Sequence, residues 1–296
     1  MREWTILGAG ALGCTFAALL KARQQPVSLL LSERHRGHFH PAFEFIGLNE
    51  RRRLVSTHPR FAEQAAGIDC LLVMTKAYQV LPALTGLRGL PADTPILLLH
   101  NGMGVAEVVT RVFPHNPLLA GVTSHGALKE GPWQVRHTGK GETWLGPVNE
   151  RGKDFAHLQP LLATALGHAE WSEDILSRQH RKLAINAVIN PLTACHDIRN
   201  GQLHEPRFAD VLAQLSEEVH GVMTRLGETD TLAQFRRRLN SVIELTATNY
   251  SSMHQDLAHG RPTEIDYITG YVLQHAGDLP VPVCRQLYHE VKKQGG

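Results

Sequence analysis

Cysteines are few and long apolar runs are missing from this sequence of 296 residues. No apolar stretch reaches the ~20 residues that a transmembrane helix requires. The four cysteines lie far apart and form no Cys-x-x-Cys pair, which is unlike a disulfide framework or a zinc site. We therefore expect a cytoplasmic protein without a membrane partner, whose reduced thiols are Cys14, Cys70, Cys195 and Cys284.

An excess of charge of either sign is also missing. The chain has 30 Lys and Arg residues against 28 Asp and Glu residues. A dedicated nucleic-acid surface needs clustered basic residues. The one basic cluster, at residues 51–53, is typical of a solvated loop. We therefore expect no nucleic-acid partner.

Histidine, by contrast, is abundant, with 18 residues. The tightest group is His35, His38 and His40. A metal site needs convergent ligands, and the neighbouring Arg34 and Arg36 would repel a cation. We therefore expect a surface loop at this group and no metal.

The first half of the chain alternates short apolar runs with amphipathic segments. This alternation predicts a parallel sheet with helices on both faces. Near residue 121 the pattern changes to strands separated by glycine-containing turns, which predicts a finish in antiparallel strands. The expected strands are 4–7, 27–31, 68–74, 95–99, 121–128, 133–137 and 142–145, and the expected helices include 11–23 and 104–112.

A glycine-rich turn follows the first expected strand. Gly8, Gly10 and Gly13 form a Gly-x-Gly-x-x-Gly pattern that opens a helix. The first glycine permits a tight turn, the second lets a pyrophosphate approach the backbone, and the third lets the helix pack closely. The free N–H groups of the helix start favour phosphate binding. This context predicts a dinucleotide-binding site.

The end of the second strand should select between NAD and NADP. Glu33 favours NAD, because an acidic residue there can bind a ribose 2′-hydroxyl. Ser32, Arg34 and Arg36 favour NADP, because they suit a 2′-phosphate. An ion pair between Glu33 and a neighbouring arginine is the structural alternative. The pattern favours NADP on balance.

Helical patterns dominate from about residue 174. The expected helices are 174–188, 206–226, 232–255, 262–275 and 283–293, and Pro262 suits a first helical turn. We therefore predict an α/β chain with two domains. Residues 1–170 form a Rossmann-type, NADP-binding domain whose parallel sheet finishes in antiparallel strands, and residues 171–296 form an all-helical domain that carries the substrate.

Polar residues interrupt otherwise apolar segments at several places. Lys182, Asn186 and Asn190 recur every four residues and share one helix face, which is either a solvent face or a functional stripe. Glu264 suits both a helix start and a site. Ligands of open α/β sheets bind beyond strand ends, where Lys76 and residues 100–104 follow expected strands. A second polar helix face, either solvated or functional, comprises Asn249, Ser252 and Asp256.

These segments together resemble the ketopantoate reductase (2-dehydropantoate 2-reductase) family. The matching blocks occur in the family's order and spread over nearly the whole chain. Besides the glycine turn, they are Thr75-Lys76-Ala77, His100-Asn101-Gly102-Met103-Gly104, Arg181-Lys182-Leu183-Ala184 with Asn186, Asn190-Pro191-Leu192-Thr193-Ala194, Ser251-Ser252-Met253 with Gln255-Asp256, and Thr263-Glu264-Ile265-Asp266-Tyr267.

The resemblance implies reduction of 2-dehydropantoate to (R)-pantoate with NADPH, on the route to pantothenate and coenzyme A, by a monomer or homodimer. It implies that Lys182 is the catalytic acid and that Glu264 contacts bound ligands and orients the site. The implied substrate-binding residues are Asn101, Asn186, Asn190, Asn200 and Ser252. The implied cofactor-binding residues are Gly8, Ala9, Gly10, Ala11, Leu12, Gly13, Ser32, Arg34, Lys76, Asn101, Ala127 and Glu264.

Two other functions remain open on the sequence. Related 2-keto-acid, 3-hydroxy-acid or sugar-acid dehydrogenases also pair a lysine with an asparagine four residues later. A non-catalytic NADPH sensor would keep the glycine turn but would not need Lys182, Asn186, Asn190 and Glu264 together.

Overall fold

The computed structural model describes residues 3–37, 40, 42–87 and 89–295. The chain divides into two compact units. One comprises Met1–His100 and Val105–Arg178, and the other comprises Asn101–Gly104 and Gln179–Gly296. The sequence placed a boundary near residue 170. The structure divides the chain after Arg178 and assigns the short 101–104 segment to the helical unit.

The first unit contains an eight-stranded sheet. Its order is β12-β11-β8-β7-β6-β1-β2-β5. The neighbouring strands β8, β7, β6, β1, β2 and β5 are parallel, whereas β11 runs antiparallel to β8. These strands are β1 (Trp4–Leu7), β2 (Val27–Leu30), β5 (His58–Arg60), β6 (Cys70–Val73), β7 (Ile96–Leu98), β8 (Leu118–Thr123), β11 (Thr143–Pro147) and β12 (Ala169–Trp171).

A separate four-stranded sheet, with order β4-β3-β10-β9, lies in the same unit. Its strands are β3 (Ala42–Ile46), β4 (Arg52–Ser56), β9 (Gly126–Gly131) and β10 (Gln134–Gly139). The sequence predicted one strand over 121–128, but β8 and β9 belong to different sheets and are separated by Ser124 and His125. The basic cluster at 51–53 is exposed as expected, yet most of it lies in β4 rather than in a loop.

The α-helices that lie wholly within the described part of the first unit are α1 (Ala11–Lys21), α2 (Ala77–Thr85), α3 (Val105–Val112) and α4 (Leu158–Leu166). The buried face of α1 packs into the apolar core formed with β1 and β2. The central strands are buried along their whole length, as expected for a parallel sheet covered on both faces. This rigid support fixes the turn between β1 and α1.

Within the described residues, the regular secondary structure of the second unit is helical. It contains most of α5 (Ile175–His196), with α6 (Ala209–Arg225), α7 (Leu232–Leu245), α8 (Ser252–Ala258), α9 (Ile265–His275) and α10 (Pro282–Gly295). One apolar core includes Val188, Val219, Ile243 and Val272. The predicted fold class is therefore confirmed, with a Rossmann-like first unit and a helical second unit.

Three helix predictions were wrong in their bounds. The helix expected over 174–188 is α5, which continues through Pro191 to His196. The helix expected over 232–255 is interrupted at residues 246–251, where the Ser251 hydroxyl accepts the His254 N–H and so starts α8. Pro262 lies before α9, which begins at Ile265. None of the described helices has the length and apolarity needed to cross a bilayer.

Candidate active site

The glycine turn of the first unit has the geometry that a pyrophosphate requires. Gly8 adopts a φ of +116°, and a Cβ there would lie 2.9 Å from the Met74 carbonyl carbon. A Cβ on Gly13 would lie 1.9 Å from the Gly8 carbonyl oxygen. A Cβ on Gly10 would instead meet no atom within 4 Å. The fold therefore leaves no room for a side chain at Gly8 or Gly13, whereas the space beside Gly10 is open.

The start of α1 faces this space without a competing group. Gly10 is the residue before the helix and supplies no side-chain cap, and the first turn has no acidic residue. The positive end of the helix dipole is therefore not neutralised by its own side chains. Ala9, Ala11 and Leu12, which the sequence assigned to the cofactor, complete this turn and are half-buried. The observed turn fits the diphosphate of a dinucleotide.

The charged residues Glu33 and Arg36, which follow β2, form ion pairs. Glu33 accepts two hydrogen bonds from Arg36, at 2.8 and 2.9 Å, and Arg36 also pairs with Glu63. These bonds lower the pKa of Glu33 and raise that of Arg36. The Arg36 guanidinium lies 3.9 Å from the centre of the Phe61 ring. Glu33 is therefore neutralised by its neighbour, which is the structural alternative that the sequence left open.

Ser32 and Arg34 are both exposed at the same strand end. The Ser32 hydroxyl lies 2.9 Å from His35 Nδ1. Arg34 makes no ion pair with any residue in the described ranges, so its guanidinium remains available to an anion. Since Arg36 is held by two carboxylates, Arg34 is the stronger candidate for a 2′-phosphate contact.

The other predicted cofactor residues of this unit lie at element ends. Lys76 directly precedes α2 in extended conformation, and Ala127 lies in β9 opposite His137. Lys76 thus lies beyond the carboxyl end of β6, where open α/β sheets bind ligands, whereas Ala127 lies near the start of a strand of the separate sheet.

The second unit brings the predicted catalytic lysine to a polar partner. Lys182 Nζ donates to Asn101 Oδ1 at 2.7 Å. Burial lowers the pKa of Lys182 from 10.5 to about 8, and the opposing effect of the Glu264 carboxylate raises it. At pH 7 the ammonium form still predominates, because a pKa of about 8 lies above that pH. The group is therefore a cation that releases its proton more readily than an ordinary lysine.

Glu264 is not used as a helix cap. Its side chain is 3% exposed and makes no cap hydrogen bond at the start of α9. A buried carboxylate is costly unless it is paired, and Lys182 supplies the positive charge. Asp266, by contrast, binds Tyr288 and Lys292 near the surface. The structure thus buries Glu264 near Lys182 and leaves Asp266 at the surface.

The remaining predicted substrate residues differ in their surroundings. Asn186 is half-buried and Asn190 is buried on the Lys182 stripe of α5. Asn200 is buried, and its Nδ2 donates to Thr246 Oγ1, while its Oδ1 has no hydrogen-bond partner among the described atoms. Ser252 is exposed in the first turn of α8. The assignment of these four residues to the substrate stays a prediction.

Sequence reasoning missed Phe61 and Glu63, which hold Arg36 from a distant segment. No local pattern marks them, since the contact spans 27 residues of sequence. Among the described residues, no three His, Cys, Asp or Glu side chains form a group that could hold a metal ion. His38 of the predicted histidine group lies outside the described residues.

Two profiles of known protein families match this chain. The family profile described as "Ketopantoate reductase PanE/ApbA" matches residues 4–150. The profile described as "Ketopantoate reductase PanE/ApbA C terminal" matches residues 174–294. The chain belongs to the ketopantoate reductase family. The predicted resemblance is therefore confirmed over both units.

Individual relatives agree with this membership. The 2-dehydropantoate 2-reductase of Vibrio cholerae is 42% identical over 229 residues, covering 76% of this chain and 77% of the relative. That of Escherichia coli O157:H7 is 37% identical over 294 residues, covering 98% and 94%. A D-mandelate dehydrogenase solved with NADH has a TM-score of 0.90 at 24% identity, covering 99% and 98%, which shows the shared fold. This ketopantoate reductase family member is an oxidoreductase with a nicotinamide cofactor.

The open space at Gly10 generates a prediction. Gly10→Ala should fold normally, because its Cβ meets nothing, but should occupy the path of the pyrophosphate. We expect its dissociation constant for NADPH to rise by roughly 10- to 100-fold, or about 1.4–2.8 kcal/mol, in fluorescence titration. Gly13→Ala should also lower the melting temperature, because its Cβ collides with Gly8. Equal affinity of Gly10→Ala and the unaltered protein would contradict this assignment.

Proposed function

We propose that this protein reduces 2-dehydropantoate to (R)-pantoate, with NADPH as the hydride donor, in the biosynthesis of pantothenate. The observation that carries the proposal is the Lys182 ammonium, which donates to Asn101 and whose pKa is lowered by burial and raised by the charge of the buried Glu264. The chain that carries it belongs to the ketopantoate reductase family. Both curated relatives described above are named 2-dehydropantoate 2-reductase.

Reduction of a ketone requires a hydride on carbon and a proton on oxygen. NADPH supplies the hydride when it is bound. The turn at Gly8, Gly10 and Gly13 would hold its diphosphate against the start of α1, and Arg34 with Ser32 would meet its 2′-phosphate. Lys76 and Ala127 would add cofactor contacts, as the family resemblance implies.

Lys182 supplies the proton in this proposal. Its ammonium stabilises negative charge on the substrate oxygen and then transfers a proton to it. A pKa of about 8 suits this step, because the group is charged at neutral pH yet acidic enough to donate. The amide of Asn101 and the carboxylate of Glu264 orient the ammonium and keep it protonated.

Neutral hydrogen-bonding groups would bind the rest of the substrate. We assign this role to Asn186, Asn190, Asn200 and Ser252. The unpartnered amide oxygen of Asn200 supports its assignment, because a buried acceptor without a donor favours a ligand hydroxyl. A site of this kind rejects analogues that lack the hydroxyl.

The reaction is tested by following NADPH oxidation with 2-dehydropantoate. Lys182→Ala should lower kcat by ~10²–10⁴-fold, the usual contribution of proton transfer, and should leave NADPH affinity nearly unchanged. Lys293→Ala, which removes an exposed lysine of α10, is the matched control and should retain full activity. Near-normal turnover of Lys182→Ala would exclude Lys182 as the acid. Assays with other 2-keto acids would show whether the protein is instead a related dehydrogenase with a different substrate.

Cofactor choice is tested at the end of β2. Arg34→Ala should weaken NADPH binding by roughly 10- to 100-fold, the equivalent of one charge-assisted hydrogen bond of ~1.5–3 kcal/mol, and should leave NADH binding unchanged. Arg23→Ala, which removes an exposed arginine just beyond α1, is the control for net charge. An equal loss for both cofactors, or no loss in Arg34→Ala, would show that Arg34 does not meet the 2′-phosphate.

A further inference from the structure

The 101–104 loop belongs to the helical unit and is attached to the first turn of α9. The Met103 N–H donates to the Tyr267 carbonyl oxygen at 2.8 Å. The Met103 side chain is buried in the apolar core of the same unit. A backbone bond and a buried side chain therefore hold the segment that carries Asn101.

Gly102 is packed directly against Tyr267. A Cβ on Gly102 would lie 2.6 Å from Tyr267 Cβ and 2.7 Å from the Tyr267 carbonyl oxygen. Both distances are shorter than any ordinary contact, so a side chain at position 102 would force the loop and the helix apart. The same carbonyl oxygen accepts the Met103 hydrogen bond, so that bond would also be disturbed.

Glu264 immediately precedes the first turn of α9. Tyr267 lies three residues after Glu264, and its N–H donates to the Glu264 carbonyl oxygen at 3.0 Å. Three residues of helix rise only ~4.5 Å. The groups that hold the 101–104 loop therefore lie within one helical turn of the carboxylate that influences Lys182.

We propose that the start of α9 positions both polar neighbours of the Lys182 ammonium, and that Gly102 is the positioning residue that makes this possible. Glu264 is placed by the helix directly. Asn101 is placed indirectly, through the Met103–Tyr267 bond and the close contact at Gly102. This inference rests on the proposed roles of Lys182 and Asn101.

Its consequence is that Asn101 is aimed at the ammonium by helical packing before any ligand binds. Displacement of the 101–104 loop from Tyr267 would lengthen the 2.7 Å bond between Asn101 and Lys182. A misplacement of about 1 Å in a catalytic arrangement commonly costs on the order of 10²-fold in rate. The loss should appear in kcat, because the glycine turn that binds the cofactor is not altered.

The kinetic test compares Gly102→Ala with Gly89→Ala. Both glycines have positive φ, +83° and +96°, so both variants carry similar backbone strain. A Cβ on Gly89 meets no atom within 4 Å, whereas one on Gly102 meets Tyr267. We expect kcat to fall on the order of 10²-fold in Gly102→Ala alone, with the dissociation constant of NADPH nearly unchanged. Equal kcat in the two variants would overturn the proposal.

A double-mutant cycle separates positioning from general destabilisation. If Gly102 acts through Asn101, Gly102→Ala should cost little further rate when Asn101→Ala is already present. Full additivity of the two losses would overturn the proposal, because a purely structural effect acts in both backgrounds alike.

Hydrogen exchange provides a test that needs neither turnover nor a folded variant. In the unaltered protein without ligand, the Met103 amide should be protected as strongly as amides within α9. Exchange at the rate of an unfolded chain would overturn the proposal. Protection of Met103 in a protein that does not reduce 2-dehydropantoate would instead refute the proposed function and leave the structural link intact.

Discussion

The hydrogen bond between Lys182 and Asn101 is the interaction on which the proposed chemistry depends. An ammonium removed from water is unfavourable unless its donors find acceptors and its charge finds a counter-charge. Asn101 supplies the acceptor and Glu264 the counter-charge, so the lysine stays protonated despite a lowered pKa. The desolvation that lowers the pKa of Lys182 therefore also makes its ammonium a stronger acid for the proposed proton transfer.

The glycine turn would bind the cofactor diphosphate with backbone groups alone. Gly8 and Gly13 lack side chains because other atoms of the turn and sheet occupy that space, whereas Gly10 lacks one beside an open volume. The helix start beyond it offers N–H groups and no competing carboxylate. At the end of β2, the ion pair between Glu33 and Arg36 offsets the negative charge that would oppose a 2′-phosphate. These features support the proposed binding of NADPH in a chain whose basic and acidic residues are nearly balanced.

The features predictable from the sequence are those with a local signal. Strand β1 was predicted at its observed bounds, and the Gly8-to-Gly13 pattern identified the turn, because both depend on neighbouring residues. The stripe of Lys182, Asn186 and Asn190 follows helical spacing alone. The hydrogen bond between Lys182 and Asn101 spans 81 residues of sequence and emerged only from the structure. The separate sheet of β3, β4, β9 and β10 was missed because β3 pairs with β10 across 90 residues of sequence, although a strand was expected at 133–137, where β10 lies. The contact of Gly102 with Tyr267 was missed for the same reason.

Direct titration of the Lys182 amine tests the central claim most simply. The side-chain signal of this lysine can be followed by NMR with isotopically labelled lysine, and assigned by its absence from Lys182→Arg. The structure predicts an apparent pKa of about 8 in the protein without ligand. A pKa near the ordinary lysine value of about 10.4 would contradict the account, because burial would then not make this ammonium a stronger acid than an ordinary lysine.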